Sequence, residues 1–294
     1  MTKTVLITGA TGKIGRHAAR AFADAGWDVR RFRRGADLTQ AAQGCDVIVN
    51  GMNPPNYHAW ATILPEITRQ HIAAARATGA TVILPGNVYN FGPRCDGLWD
   101  ETSPHAPETR KGRIREDLER AYREAGVRTI VLRAGNFIDP EGTDDVLSLG
   151  PLKGLAKGRC TQIGDPQARQ EWCYLPDWAR AAVALAERRD SLAGFEDVPF
   201  GNHALTGAEM QARLEALTGR KLSTARFPWW AMTLLSPVLE VAREMGEMRY
   251  LFDLDHALSD TKLRRLLPGW EKTPLDTVLR AKLAGQDEGL RAAA

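Results

Sequence analysis

The chain has 294 residues, enough for one large hydrophobic core or two unequal ones, and its 44% hydrophobic and 26% charged residues leave no compositional case for disorder. A formal net charge of +3, without basic residues interleaved among aromatics, argues against a nucleic-acid partner, and no apolar run reaches the roughly 18 residues of a membrane span. The four cysteines, Cys45, Cys95, Cys160 and Cys173, lack a paired or metal-like spacing, so reduced thiols and no metal site are expected; with no charged-then-apolar leader, the expected location is cytoplasmic.

Thr4 to Thr8 is an apolar, β-branched run. Gly9, Gly12 and Gly15 follow at three-residue spacing, and an Ala-rich amphipathic segment from Arg16 to Ala25 begins at once. The pattern predicts strand, tight turn and helix. Glycines there let the chain turn sharply and let a pyrophosphate approach the backbone, while the N–H groups at the helix start favour its negative charge. Gly9, Thr11, Gly12, Lys13, Ile14 and Gly15 are therefore candidate cofactor-binding residues. Trp27 to Arg33 is the second expected strand. In dinucleotide folds the end of that strand lies by the adenosine ribose, where a carboxylate suits a free 2′-hydroxyl and a cation suits a 2′-phosphate. Arg33 and Arg34 stand there, which points to NADP, with NAD less favoured and with Lys13 and Arg16 as helpers; a solvated strand end is the plain alternative.

Only twelve residues separate Arg33 from Asp46, too few for two crossovers around a full strand, so Ala36 to Leu38 is expected to be at most a vestigial third strand. Asp46 to Asn50 is then the fourth. Asn50 and Gly51 open a turn-rich loop where a cofactor should cross the sheet, with Asn53, Tyr57 and His58 as cleft candidates. A helix around Pro65 carries Ile63, Ile67, His71, Ala74 and Ala75 on one face and ends near Gly79. Thr81 to Leu84 is the next strand, followed by Pro85, Gly86, Asn87, Val88 and Tyr89, with Asn87 a further cofactor candidate. Ile114, Leu118, Tyr122 and Ala125 form a helical stripe stopped by Gly126, and Arg128 to Arg133 is a strand leading to the pocket candidates Asn136 and Phe137. Pro140 to Ala168 reads as a loop-and-helix excursion, Glu171 to Leu175 as a short strand, and Asp177 as the cap of a helix running to Arg188, with Trp172 and Tyr174 facing either substrate or core. Thr206-Gly207-Ala208-Glu209 is a capping box that starts a helix bearing Met210, Leu214 and Leu217, and Pro228 to Met248 is amphipathic and Trp-rich.

Thr-Gly-x-x-Gly-x-x-Gly after the first strand resembles the fingerprint of the short-chain dehydrogenase/reductases in their extended, epimerase/dehydratase-like branch. The likeness continues in Gly44 to Asn50, Leu132 to Phe137, Tyr174 to Ala179 and Asp260 to Leu263, and so spans most of the chain. It implies a doubly wound Rossmann-type α/β fold with a parallel sheet, a dinucleotide-binding domain over 1–197, and a smaller, mainly helical C-terminal part over 198–294 that binds substrate. It also implies that the Trp-rich region is a lid; a peripheral membrane helix is the minority reading, and no membrane partner is expected. Two departures stand out. The family's substrate-holding serine falls on Pro85, and its Tyr-x-x-x-Lys pair is missing: alignment on Gly112 and Glu119 puts Lys111 at the tyrosine position and Arg115 at the lysine position. The helix therefore keeps a cofactor-binding cation at Arg115, while the proton donor must lie elsewhere, with Tyr89 the first candidate, its pKa lowered by Arg115 or Lys111, and Lys111 the second. The resemblance implies an NAD(P)-dependent oxidoreductase or epimerase/dehydratase working by hydride transfer on a small carbonyl/hydroxyl or nucleotide-sugar-type substrate. The alternative is a non-catalytic NADP-binding redox sensor. Oligomeric state is left open.

Overall fold

The computed structural model describes residues 2–95 and 97–292. Its centre is a six-stranded parallel sheet of β1 (Thr4–Thr8), β2 (Asp28–Arg31), β3 (Val47–Asn50), β4 (Thr81–Gly86), β6 (Thr129–Arg133) and β10 (Phe195–Pro199), in the order β10-β6-β4-β3-β1-β2. The remaining strands form small sheets: β5 (Gly97–Trp99), β7 (Asn136–Ile138), β8 (Arg159–Gln162), β9 (Arg169–Tyr174), β11 (His203–Thr206), β12 (Ser223–Arg226) and β13 (His256–Leu258). The α-helices are α1 (Lys13–Asp24), α2 (Leu38–Ala41), α3 (Trp60–Thr78), α4 (Arg110–Ala125), α5 (Val146–Leu149), α6 (Leu175–Glu187), α7 (Gly207–Thr218), α8 (Trp229–Leu235), α9 (Glu240–Glu247), α10 (Thr261–Leu266) and α11 (Leu275–Ala292).

The inner strands β1, β3, β4 and β6 are largely apolar because both faces are covered, whereas the edge strands β2 and β10 carry charged residues. Val5, Ile7, Val47 and Val49 face α1 and α6, where Phe22, Trp178, Ala182 and Leu185 are buried. Leu6 and Ile48 face the other way, onto Leu38 of α2 and Ala74 of α3. Val82, Leu84 and Val131 meet Leu64 and Ile67 of α3 and Leu118 and Tyr122 of α4. Left-handed glycines end the long helices, Gly79 after α3 and Gly126 after α4.

Two expectations are corrected. No strand forms at 36–38. Asp37 instead caps α2 by accepting from the Gln40 N–H at 3.0 Å, and β3 pairs directly with β1. Asp177 does not cap α6. Tyr174 holds the N-cap, and the buried Asp177 carboxylate in the first turn accepts from the Thr273 N–H (2.8 Å) and hydroxyl (2.7 Å) and from Asn202 Nδ2 (3.2 Å). It ties α6 to the approach to α11. The capping box at Thr206 and Glu209 forms as the sequence predicts.

The part that follows the main sheet is interleaved with it. β11 pairs with β9, β12 with β8 and β13 with β5, so each of these three strands takes a partner that precedes residue 197. A separate apolar cluster joins Ile138, Leu147, Leu152 and Trp172 to Met210, Leu214, Val278 and Leu279. Trp172 is thereby core rather than pocket. Glu171 lies beneath this junction, accepting backbone N–H groups of Asn202 (2.7 Å), His203 (3.1 Å) and Leu258 (3.0 Å).

Candidate active site

The glycine turn leaves β1 at Gly9, whose φ of +63° is left-handed. Backbone packs tightly there: a side chain at Gly9 would run into the Gly51 carbonyl, and one at Gly15 into the Gly9 carbonyl. Gly12 is different, since a Cβ there would meet only Gly9 O at 3.2 Å and Gly51 O at 3.9 Å. Gly12 is the N-cap of α1 without a side-chain cap, and Thr11 and Gly12 are exposed. The first-turn N–H groups of Lys13, Ile14 and Gly15 have no acceptor inside the helix. The result is a cradle open to solvent, with its floor made by β1 and β3.

The residues around it divide into those aimed outward and those already committed. Arg33 and Arg34 are exposed in the turn after β2. Lys13 and Arg16 are not helpers to them, because the loop after β7 claims both: Lys13 Nζ lies 2.8 Å from the Asp144 carbonyl, and Arg16 pairs with Asp139 and Glu141. Asn50 is buried, donating to Tyr122 Oη (3.3 Å) and accepting from the Met52 N–H (3.2 Å), so it holds the loop after β3 in place. Gly51 touches the turn through backbone alone. Thr8 and His71 secure the strand end from below, with Oγ1 and Nε2 3.0 Å apart; burial lowers His71 to a pKa of about 4, so its ring is neutral and Nδ1–H donates to Ile67 O (2.7 Å). Asn87 accepts from the Tyr89 N–H (3.1 Å), Asn136 is half-buried, and Phe137 packs against the main core.

The second group lies where α4 begins. Arg115 is buried; Nη2 donates to the Pro85 carbonyl at 2.5 Å while Nε has no partner among the described residues. One turn earlier, Lys111 is fully buried. Its ammonium reaches Glu244 Oε2 (2.5 Å), Glu247 Oε2 (2.6 Å) and the Glu244 carbonyl (3.0 Å), and sits 5.0 Å over the Tyr57 ring. Arg110 grips the same Glu244 with 2.7 Å contacts to both oxygens. Burial alone would raise the Glu244 pKa, but Lys111 and Arg110 outweigh it and hold the carboxyl below its usual range.

Tyr57 and Tyr89 complete the cluster with phenol oxygens 3.2 Å apart. Tyr57 lies in a strained segment: Asn56, Tyr57 and Ala59 have φ of 54°, 62° and 49°. Burial pushes the Tyr89 phenol well above 10, Tyr57 adds to the rise, and Arg115 offsets it only in part. This reverses the expected lowering of its pKa. His58 is exposed, pairing with Glu240 at 2.9 Å across to α9, and Asn53 is exposed beside it.

Glu244 and Glu247 are the residues that sequence reasoning missed. Glu240, Glu244 and Glu247 recur at i, i+4 and i+7, which places them on one face of α9, and that spacing was the available signal. Arg133 was also missed. Fully buried, it pairs with Glu119 (2.7 Å) and Asp197 (2.6 Å), which raise its pKa although burial opposes them. With His105 these carboxylates form a grouping of metal-ligand type, but the guanidinium already neutralises it.

The model of the NAD dependent epimerase/dehydratase family matches residues 5–199, about two thirds of the chain. The protein belongs to that family. Among solved structures, MoeE5 in complex with UDP-glucose and NAD is 18% identical with a TM-score of 0.76, covering 98% of this chain and 99% of that one. The UDP-glucuronic acid 4-epimerase from Bacillus cereus in complex with NAD is 16% identical, TM-score 0.78, covering 97% and 99%. TunA, an NAD dependent NDP-hexosamine 5,6-dehydratase, is 16% identical, TM-score 0.74, covering 98% of both chains. At such identities the likeness is one of fold. Comparison with curated proteins gives no match. In α4 the two positions at which the resemblance implies a tyrosine and a lysine are held by the ion-paired Lys111 and the buried Arg115.

Proposed function

We propose that the protein is a nicotinamide-dependent oxidoreductase or epimerase/dehydratase acting on a carbonyl or secondary hydroxyl, with a nucleotide sugar as the favoured substrate class. Residues 1–197 carry the cofactor and 198–294 close over the substrate. The observation that supports an enzyme over a redox sensor is the convergence of Tyr57, Tyr89, Lys111, Arg115, Glu244 and Glu247: a sensor needs the turn and a partner surface, not a cluster of acid/base groups.

The residues fit a dinucleotide. The Gly9, Gly15 and Gly51 backbones meet too closely for side chains, the first-turn N–H groups have no acceptor inside the helix, and the unpartnered Nε of Arg115 is a buried donor awaiting an acceptor, as a ribose hydroxyl would be. When bound, the cofactor supplies or accepts the hydride. The chain's own part is to hold it by the turn, to meet a 2′-phosphate with Arg33 and Arg34, and to move one proton at the substrate oxygen. Tyr89 is the favoured donor. A phenol with a pKa above 10 stays protonated at neutral pH, which suits donation to the oxygen of a carbonyl being reduced; an epimerase or dehydratase, which first takes a proton from an alcohol, needs a base other than Tyr89. Lys111, enclosed by two carboxylates, is the second candidate. The favoured cofactor is NADP, with NAD the alternative used by the solved relatives.

Titration of NADPH and NADH against wild type and Arg33→Ala tests the binding half. NADPH is expected to bind more tightly and to lose about tenfold or more in the variant, since a charge-assisted contact contributes ~1.5–3 kcal/mol; equal affinities in wild type refute the preference. NADPH oxidation with carbonyl and nucleotide-sugar panels tests the catalytic half, and failure on every panel favours the sensor.

A further inference from the structure

Arg133 is fully buried at the end of β6, and all five of its N–H donors are engaged. Nε donates to Asp197 Oδ1 (3.2 Å), and Nη2 to Asp197 Oδ2 (2.6 Å) and Glu119 Oε2 (2.7 Å). Nη1 donates to Glu119 Oε1 (3.2 Å) and to the Asn87 carbonyl (2.7 Å). The sheet makes room for this side chain: Gly86 lies opposite Arg133 in the β4–β6 register, and a Cβ there would come within 3.1 Å of the Arg133 Cβ. Balancing one buried charge takes one carboxylate. The planar guanidinium instead joins β10 through Asp197, α4 through Glu119 and the loop after β4 through Asn87, a span that the single ammonium of a lysine does not match.

That loop carries Tyr89, and the residues on both sides of it are fastened to the same hub. Asn87, whose carbonyl Arg133 holds, accepts from the Tyr89 N–H with its own side chain at 3.1 Å. Asn90 is buried and its Nδ2 donates to Glu119 Oε2 at 2.9 Å, while the Arg133 guanidinium lies 5.4 Å over the Phe91 ring. From α4, Gly112 packs on the Tyr89 carbonyl, which a Cβ there would meet at 2.6 Å. The backbone at 87–91 is thus tied to the ion cluster, while the Tyr89 ring stacks on Trp60 and its phenol reaches Tyr57. A tyrosine has only two side-chain torsions, so fixing its backbone and packing its ring sets where the oxygen lies. That matters for rate, because a reacting group misplaced by ~1 Å can cost ~100-fold.

We propose that Arg133, acting through Asn87, Asn90 and Phe91, is a positioning residue that holds the Tyr89 phenol for proton transfer; this rests on the assignment of Tyr89 as donor. The test compares the full chain as wild type, Arg133→Lys, Asn90→Ala, Tyr89→Phe and Tyr89→Phe/Asn90→Ala. Should Arg133→Lys fail to fold, Asn90→Ala carries the test, because it leaves both ion pairs of Arg133 in place. The five tyrosines are labelled as 3-fluorotyrosine, and the Tyr89 fluorine resonance is assigned by its loss in Tyr89→Phe. Asn90→Ala and Arg133→Lys are expected to shift and broaden that line while leaving the Tyr174 line unmoved. With NADPH and a carbonyl substrate, Asn90→Ala is expected to lower kcat ~10-fold or more at NADPH affinity within about twofold, and to add no further loss to Tyr89→Phe. A lowered melting temperature with the Tyr89 line and kcat both unchanged reduces Arg133 to a structural ion pair and overturns the proposal. So does a loss that multiplies in the double variant, which leaves the donor assignment standing. A Tyr89→Phe rate within about threefold of wild type overturns the donor assignment and this proposal with it.

Discussion

Replacing Lys111 by Met removes the ammonium that joins α4 to α9. The cost follows from what stays behind. Glu244 is 2% exposed and keeps Arg110 at 2.7 Å, so it retains a partner; Glu247 is 21% exposed and keeps the Lys111 N–H at 2.8 Å and Arg110 at 3.9 Å. Breaking a buried pair by removing one partner costs about 3–5 kcal/mol, and because Arg110 remains the low end applies, roughly 3 kcal/mol. Against a typical total of ~5–15 kcal/mol this shifts a urea midpoint visibly at an unchanged slope. Adding Glu247→Gln removes the stranded charge, so Lys111→Met/Glu247→Gln is expected to cost clearly less than the sum of the single variants. A Lys111→Met change within ~0.5 kcal/mol, as at an ordinary surface position, would refute the buried ion cluster. The result also governs how activity is read: a loss of turnover in Lys111→Met is not proof of catalysis when the same substitution loosens α9.

Gly12→Val is expected to abolish cofactor binding with circular dichroism nearly unchanged, because its Cβ meets only Gly9 O at 3.2 Å, which a shift of a few tenths of an ångström relieves, so the greater loss of space falls on the ligand; undiminished affinity would make the turn purely structural. Tyr89→Phe is expected to lower turnover at least ~100-fold while costing only ~1 kcal/mol of stability for the lost bond to Tyr57, and a rate within about threefold of wild type excludes it as the donor. Burial raises the Glu171 carboxyl to about 7 from 4.5, so the folded state holds this proton longer and the group's contribution to stability falls as pH rises from ~4.5 to ~7, by up to ~3 kcal/mol. Subtracting Glu171→Gln from wild type across that window isolates the effect, since His71 and His203, both lowered to about 4, add stability with rising pH in both proteins and cancel; a flat difference refutes it.

Local signals carried most of the Rossmann half. β1, the turn and α1 are specified by a β-branched run, three spaced glycines and an apolar stripe, and all three form within a few residues of their expected bounds. The missed α2 shows a limit of spacing arguments: twelve residues excluded a full strand, but Asp37 with its cap to Gln40 decided for a turn of helix. Long-range pairings were beyond reach. Asp177 sits at a plausible cap position, and only the fold reveals that its partners are Thr273 and Asn202. The commitment of Lys13 and Arg16 to the loop at 139–144 was likewise invisible, because no local pattern links residues more than a hundred positions apart.

The two substituted positions of α4 have separated in role. Arg115 keeps a spare buried donor at Nε, the one the proposed ribose contact would use. Lys111 spends its charge on Glu244 and Glu247 and so fastens α9 to α4. That fastening brings α9 against the start of α4 and, through Lys111, beside Tyr57. Tyr57 is held in a left-handed conformation that a bulky residue adopts only when its surroundings compel it, and Lys111 over its ring is one such constraint. On the proposed assignment of Tyr89 as donor, the ion cluster acts by position: Lys111 packs on the Tyr57 ring, the Tyr57 and Tyr89 phenols lie 3.2 Å apart, and burial keeps the Tyr89 phenol protonated. On that proposal the carboxylates of α9 are positioning residues, and Tyr89 in the loop after β4, beside Tyr57 in the loop after β3, is where the donor is sought.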